Sequence, residues 1–285
     1  MIRIQELVKT FRGRRVLDGV DLDLPAGDRI ALVGSNGAGK TTMIRCLLGE
    51  YVYQGTVEVG GLDARRDRHE VLKGIGFVPQ LPPPLKMPVG DLVAFAAGVC
   101  GSDPKRMEEV AGKLGLDMGA VRRQPFVKLS GGQKQKLLIG IALGRDSRIL
   151  ILDEPAANLD PDSRRVFFGL LAERQEDVML ISSHRLDEVA PLVNRVIELD
   201  GGRVVLDDHV EDTVDLASIM VCTVDLARDD EAFAKALGEW KFERINGALR
   251  WRGRVAGPDR LRFLGMLARY AGAFAGIDLK EEGRP

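Results

Sequence analysis

The sequence predicts an α/β fold: a large, mostly parallel sheet covered on both faces, preceded by strand-rich segments, interrupted by a helical subdomain and followed by a small α+β domain. Three observations predict it. The runs RIALV, RILILD and VMLISS lack the polar alternation of a half-exposed sheet, the pattern expected of parallel strands buried on both faces. Between Met87 and Arg123 apolar residues recur instead at three- and four-residue steps, as a helix requires. Beyond about Asp212, strand-like and helix-like stretches follow one another as β-α-β-β-α-β, a ferredoxin-like order.

The opening segments IRIQELVKTF, VLDGVDLDL and DRIALVG read as strands separated by GRR and PAGD turn chemistry. KTTMIRCLLG follows as a helix stopped at Gly49, and TVEVGG and GIGFVPQ read as short strands. DLVAFAAG and PKRMEEVAGKLG form the helical stretch. From Ser130 the order is helix, strand RILILD, helix PDSRRVFFGLLAER, strand VMLISS, a short helix through LDEVA, and strands RVIEL and GRVVL. The last unit takes strand IMVCTVDLA, helix DDEAFAKALGEW, strands KFERI and ALRWRG, helix PDRLRFLGMLARYAGAF and strand GIDLKEE.

A chain of 285 residues accommodates one well-buried core and a smaller appendage. Its net charge of −1 supplies no general field for nucleic acid or an anionic membrane, so any anion site must be local. The longest apolar run outside strands, VGDLVAFAAGVC, is interrupted by Asp91 and Gly98 and is shorter than the roughly 20 residues of a spanning helix. No secretory leader pattern opens the chain. Cys46, Cys100 and Cys222 are far apart and unpaired by any CxxC motif, which predicts buried reduced thiols.

Two segments carry the chemistry. Gly34, Ser35, Asn36, Gly37, Ala38, Gly39, Lys40 and Thr41 match G-x-x-x-x-G-K-[ST] between a strand and a helix. In such a loop backbone amides converge on phosphate oxygens, Lys40 adds a point charge, and Thr41 can ligate magnesium. Asp153 and Glu154 end the apolar run RILILD. Alternation at the strand end points the two carboxylates differently, so Asp153 can serve a metal while Glu154 faces a water as general base; a helix N-cap pair before Pro155 is the other reading.

With these motifs in order, the first 211 residues resemble the ATP-binding subunit of an ABC transporter, a P-loop NTPase core with an N-terminal antiparallel β-subdomain and a helical subdomain at about 87–145. GSNGAGKTT resembles the Walker A loop, ILILDEP the Walker B strand, LSGGQ the family signature, VPQ the glutamine loop, NLDP the D-loop and SSH the switch histidine. The resemblance implies ATP and Mg2+ as ligands. Phe11 stands where the family stacks an aromatic, more often tyrosine, on adenine, with Val16 beside it; residues 34–41 and Thr42 take the phosphates. Thr41, Gln80 and Asp153 would hold the metal, Glu154 would polarise water, and His184 would contact the γ-phosphate.

It also implies partners. Ser130, Gly131, Gly132 and Gln133 would face the nucleotide held by a second copy packed head to tail, and Asp160 would communicate between the two sites. Lys134 and Lys136 are expected to solvate the helix face. A separate integral-membrane permease would meet the Gln80 loop, where LPPPLKMP stiffens the chain, which locates the subunit on the inner face of the cell membrane in the cytoplasm. No nucleic-acid partner is expected. A soluble ABC ATPase acting on ribosomes or DNA is the alternative; about fifty residues between Gln80 and Ser130 leave no room for a long coiled coil, and each motif occurs once.

The unit from 212 to 285 resembles accessory domains of bacterial exporter ATPases, among them the one linked to copper-site maturation of nitrous-oxide reductase. Such subunits usually continue into a short helix containing Leu and Glu, whereas this chain ends at GRP. Eight Lys or Arg against two acidic residues between Lys241 and Arg269 suit either an anionic partner or a solvated face.

Overall fold

A computed structural model of the chain describes residues 1–174, 178–183, 186–209, 219–245, 249–256, 259–270 and 272–281. It divides into two units, Met1–His184 with Leu192–Asp207, and Arg185–Pro191 with Asp208–Pro285. The boundary expected at 211/212 lies outside the described residues.

In the first unit, β1 (Ile2–Phe11), β2 (Arg14–Leu24), β4 (Gln54–Val59) and β5 (Leu62–Asp63) make an antiparallel sheet in the order β2-β1-β4-β5. β3 (Arg29–Val33), β6 (Ile75–Val78), β7 (Ile149–Asp153), β8 (Val178–Ser182), β9 (Arg195–Asp200) and β10 (Arg203–His209) make the second, ordered β10-β9-β3-β8-β7-β6 and parallel from β9 to β6. β3, β7 and β8 are buried at every position, which is why their sequences show no alternation. β10, at the edge, alternates and is half exposed. Isoleucines and leucines of both sheets share one core with α1 (Lys40–Leu47).

α2 (Arg68–Lys73) was not predicted: six residues are too few for a helical period to show. α3 (Val89–Cys100), α4 (Pro104–Lys113), α5 (Met118–Val121) and the N-terminal part of α6 (Gly131–Leu143) form a separate helical core around Phe126, Met107 and Leu137. α7 (Pro161–Ala172) follows β7, and the short α8 (Leu186–Val189) falls in the second unit.

The rest of the second unit is β11 (Ile219–Leu226), α9 (Glu231–Glu239), β12 (Glu243–Arg244), β13 (Arg250–Ala256), α10 (Arg260–Arg269) and β14 (Phe274–Glu281). Its strands lie in the order β12-β13-β11-β14 with antiparallel neighbours, a split β-α-β arrangement around Phe233, Phe242 and Phe263. Cys46 and Cys222 are buried, and Cys100 is half-buried.

Candidate functional site

The loop between β3 and α1 is shaped by its glycines. Gly39 caps α1 at φ 111°, and a Cβ there would lie 2.8 Å from Leu17 Cδ2 and 3.0 Å from Val16 O, so no larger residue fits. Gly34 is likewise left without room for a Cβ by the carbonyl of Leu199. No side chain caps the first turn of α1 and no acidic residue occupies it, which leaves its amides facing the loop. Lys40, only 8% exposed, curls back so that Nζ donates to Gly34 O at 2.6 Å and Ser35 O at 3.2 Å.

Two parallel strands deliver the acids. Asp153 ends β7 with 2% exposure and pairs in register with Ser182 at the end of β8, whose Oγ donates to Asp153 Oδ1 at 2.6 Å. Glu154 then turns left-handed, at φ 50°, although the Pro155 that follows favours extended backbone at its position. Its amide donates to Ser182 O at 3.2 Å and Ser182 Oγ at 3.0 Å, which holds the turn.

These pieces surround one cleft that is open to solvent. Its lining is Val16, the loop from Ser35 to Lys40, Thr41, Thr42, Gln80, Asp153 and Glu154, every one of them singled out in the sequence. Asp153 and Glu154 both line this cleft, and Glu154 leaves β7 through a left-handed turn rather than by continuing the strand. Gly34 takes part through its carbonyl. Phe11 is outside the lining; its ring, 38% exposed, meets the edge of Tyr51 at 5.2 Å and lies under Lys9 Nζ at 4.4 Å. His184 lies outside the described residues.

The donor set fits a magnesium polyphosphate. Backbone amides and a buried ammonium ring an open cleft, and Thr41, Gln80 and Asp153 offer the hard oxygen donors that magnesium takes. Among the described residues no group of three or more His, Cys, Asp or Glu is placed to hold a metal.

Ser130, Gly131, Gly132 and Gln133 stand elsewhere, at the start of α6. Gln133 N donates to Ser130 Oγ at 3.2 Å and Ser130 N to Gln133 Oε1 at 3.0 Å, a reciprocal capping box. Asp160 caps α7, accepting from Ser163 N at 2.9 Å and Ser163 Oγ at 2.7 Å. None of these five lines the cleft. Lys136 departs from the expected solvated face: its side chain is 15% exposed and Nζ lies 2.8 Å from Asp160 Oδ2. That ammonium, with the amide and hydroxyl of Ser163, holds the Asp160 carboxyl well below the usual carboxylate range.

Ser182 and Gln135 were missed in the sequence. The signal for Ser182 was a hydroxyl closing an apolar strand at the height of Asp153; for Gln135, 1% exposed, it was a polar residue on the buried side of α6.

Comparison with known proteins agrees. The family model described as ABC transporter matches residues 17–157. ATP-binding cassette sub-family A member 10 of Homo sapiens is 35% identical over 213 residues, covering 71% of this chain and 14% of that protein. The ribose import ATP-binding protein RbsA 2 of Burkholderia cenocepacia is 34% identical over 230 residues, covering 75% and 44%. The chain thus spans less than half the length of these curated relatives. A dimeric post-hydrolysis ATP-binding cassette bound to ADP and Pi superposes with a TM-score of 0.65 at 23% identity, covering 74% of this chain and 99% of that one. A bacterial Atm1-family ABC exporter with ATP bound gives 0.64 at 25% identity, covering 73% and 38%. A phosphate-shaped loop, a strand-end acid pair and this kinship lead to one conclusion: the chain carries the ATP-binding domain of the ABC transporter family.

Proposed function

We propose that this chain is the ATP-binding and ATP-hydrolysing subunit of an ABC transporter, dimerising around two ATP molecules to drive a separate membrane permease. One observation carries the reading: the loop of Lys40 and the acid pair share a single cleft, while the Ser130 turn opens a helix away from it.

In this reading the amides of the Ser35–Lys40 loop and the Lys40 ammonium bind the phosphates, releasing Nζ from Gly34 O and Ser35 O. Thr41, Gln80 and Asp153 hold magnesium, which when bound neutralises phosphate charge. Glu154 accepts a proton from the attacking water, and His184 contacts the γ-phosphate. Phe11 and Val16 flank the adenine. The capped N-terminus of α6, Ser130 to Gln133, adds amides and dipole to the nucleotide on a second copy, and Asp160 sits at the seam. Loss of the γ-phosphate then removes contacts that keep the dimer shut.

The permease is proposed to meet the loop after Gln80. Leu81 is 76% exposed, Phe95 62% and Val127 41%, and the segment after Gln80 is braced by Phe126 N donating to Met87 O and Val127 N to Leu85 O. Among the described residues no helix is long and apolar enough to cross a membrane, which fits a subunit held peripherally on the inner face through its partner. Cargo and direction then belong to the membrane subunit.

Glu154→Gln tests the whole. Turnover should fall at least about a hundredfold, the loss of a general base, while ATP binding persists and the variant elutes as a dimer in ATP. A monomer in ATP, or unchanged hydrolysis, refutes it.

A further inference from the structure

α6 is joined to the segment that follows Glu154 at two consecutive residues. Gln135 Nε2 donates to Pro155 O at 2.7 Å in a fully buried setting, and Lys136 Nζ meets Asp160 Oδ2 at 2.8 Å. The first turn of the helix comes equally near: a Cβ on Gly132 would sit 3.2 Å from Asn158 O. Two short turns fill the span between the contacts, Ala157 N donating to Glu154 O and Leu159 N to Ala156 O.

Gln135 Oε1 is buried and accepts from no protein donor, so a methionine of similar size would fill the same place with fewer polar atoms to satisfy. What the amide does supply is a donor to the carbonyl of the residue after Glu154. That carbonyl is one peptide away from a backbone held in the left-handed region, where small rotations redirect the Glu154 side chain.

We propose that Gln135 and Lys136 are positioning residues that fasten the signature turn to the Glu154–Asp160 segment, so that the helix end facing the partner's nucleotide and the carboxylate facing the chain's own move as one body. Engagement of Ser130 by a second copy is thereby felt at Glu154 through a rigid link two hydrogen bonds wide. The inference rests on the proposed roles of Ser130 and Glu154, and it adds residues that neither the cleft nor the capping box contains.

The test uses the full chain with Gln135→Met, Lys136→Met, Lys136→Arg and the Met–Met double variant, read by amide hydrogen exchange and by ATPase kinetics. In the two single Met variants the amides of Ala157 and Leu159 should exchange about tenfold faster, and kcat should fall about tenfold, the size expected when one hydrogen bond bracing the segment is lost. KM for ATP should stay within about twofold, because the phosphate loop is untouched. Lys136→Arg should restore both readouts, and the double variant should lose less than the product of the two single losses, since both bonds brace one segment. Unchanged exchange at Ala157 and Leu159 overturns the link whatever happens to turnover. So does a kcat loss that Lys136→Arg fails to rescue. Wild-type turnover by Glu154→Gln would instead remove the general-base reading, and hydrogen exchange would still decide whether the link exists.

Discussion

Removing one hydroxyl, with Ser182→Ala, should weaken the first unit measurably. Ser182 is fully buried and its Oγ serves two partners, donating to Asp153 Oδ1 at 2.6 Å and accepting from Glu154 N at 3.0 Å. The bond to a carboxylate contributes about 1.5–3 kcal/mol. Glu154 N keeps its bond to Ser182 O at 3.2 Å, so that part of the loss is small. The sum is about 2.5 kcal/mol, and with an m-value of about 3 kcal/mol/M the urea midpoint should fall by about 0.8 M. Trp240 and Trp251 both belong to the second unit, so tryptophan fluorescence reports that unit and far-UV circular dichroism carries the transition of the first. Only the dichroism midpoint should move. Added magnesium nucleotide should narrow the deficit, because a cation at Asp153 compensates the donor that was lost. A shift below about 0.2 M, equivalent to roughly 0.6 kcal/mol, would refute the assignment of this hydroxyl as the support of the acid pair.

Lys40→Ala should lower ATP affinity at least about tenfold with little change in the unfolding midpoint, since Lys40 donates to loop carbonyls that water can also serve; retained affinity by fluorescent-nucleotide titration would count against the cleft. Ser130→Arg should abolish hydrolysis while the isolated chain still binds nucleotide, and loss of that binding would mean the turn is not partner-facing. Burial pushes the thiols of Cys46 and Cys222 up to about 12, so a thiol reagent should label Cys100 alone in the native protein and all three in denaturant. These raised values contribute stability that is complete below the unfolded thiol pKa near 8.5 and is lost as pH rises toward about 12; Cys46→Ala should flatten the alkaline fall in unfolding midpoint.

What could be read in the sequence was local. The phosphate loop is a contiguous pattern of glycines, Lys40 and Thr41, and strand burial shows in unbroken apolar runs, so the loop, Asp153 and the sheet strands were all visible. Contacts between distant residues were not. Ser182 supports Asp153 from 29 positions away, and Phe11 finds Tyr51 only because β1 and the turn before β4 come together. Lys136 reads as a solvated cation until Asp160, which α7 brings alongside, makes it half of an ion pair. α2 was invisible because six residues show no period.

The conformation of Glu154 contradicts both local rules that apply to it, and the contradiction is informative. A residue preceding proline favours extended backbone, and a non-glycine residue held left-handed costs about 1–2 kcal/mol. Extended, Glu154 would continue the alternation of β7; it turns left-handed instead, and lines the same cleft as Asp153. Glycine would adopt φ 50° without strain but offers no carboxylate, and aspartate, the acid more tolerant of that region, is one methylene shorter. The two bonds from Glu154 N to Ser182, and the amide of Gln135 on Pro155 O, are placed where they offset that strain. The acid at the end of β7 is thus held in a costly conformation by groups from two other elements, Ser182 on β8 and Gln135 on α6, and strain braced in this way is the kind that clusters at functional sites.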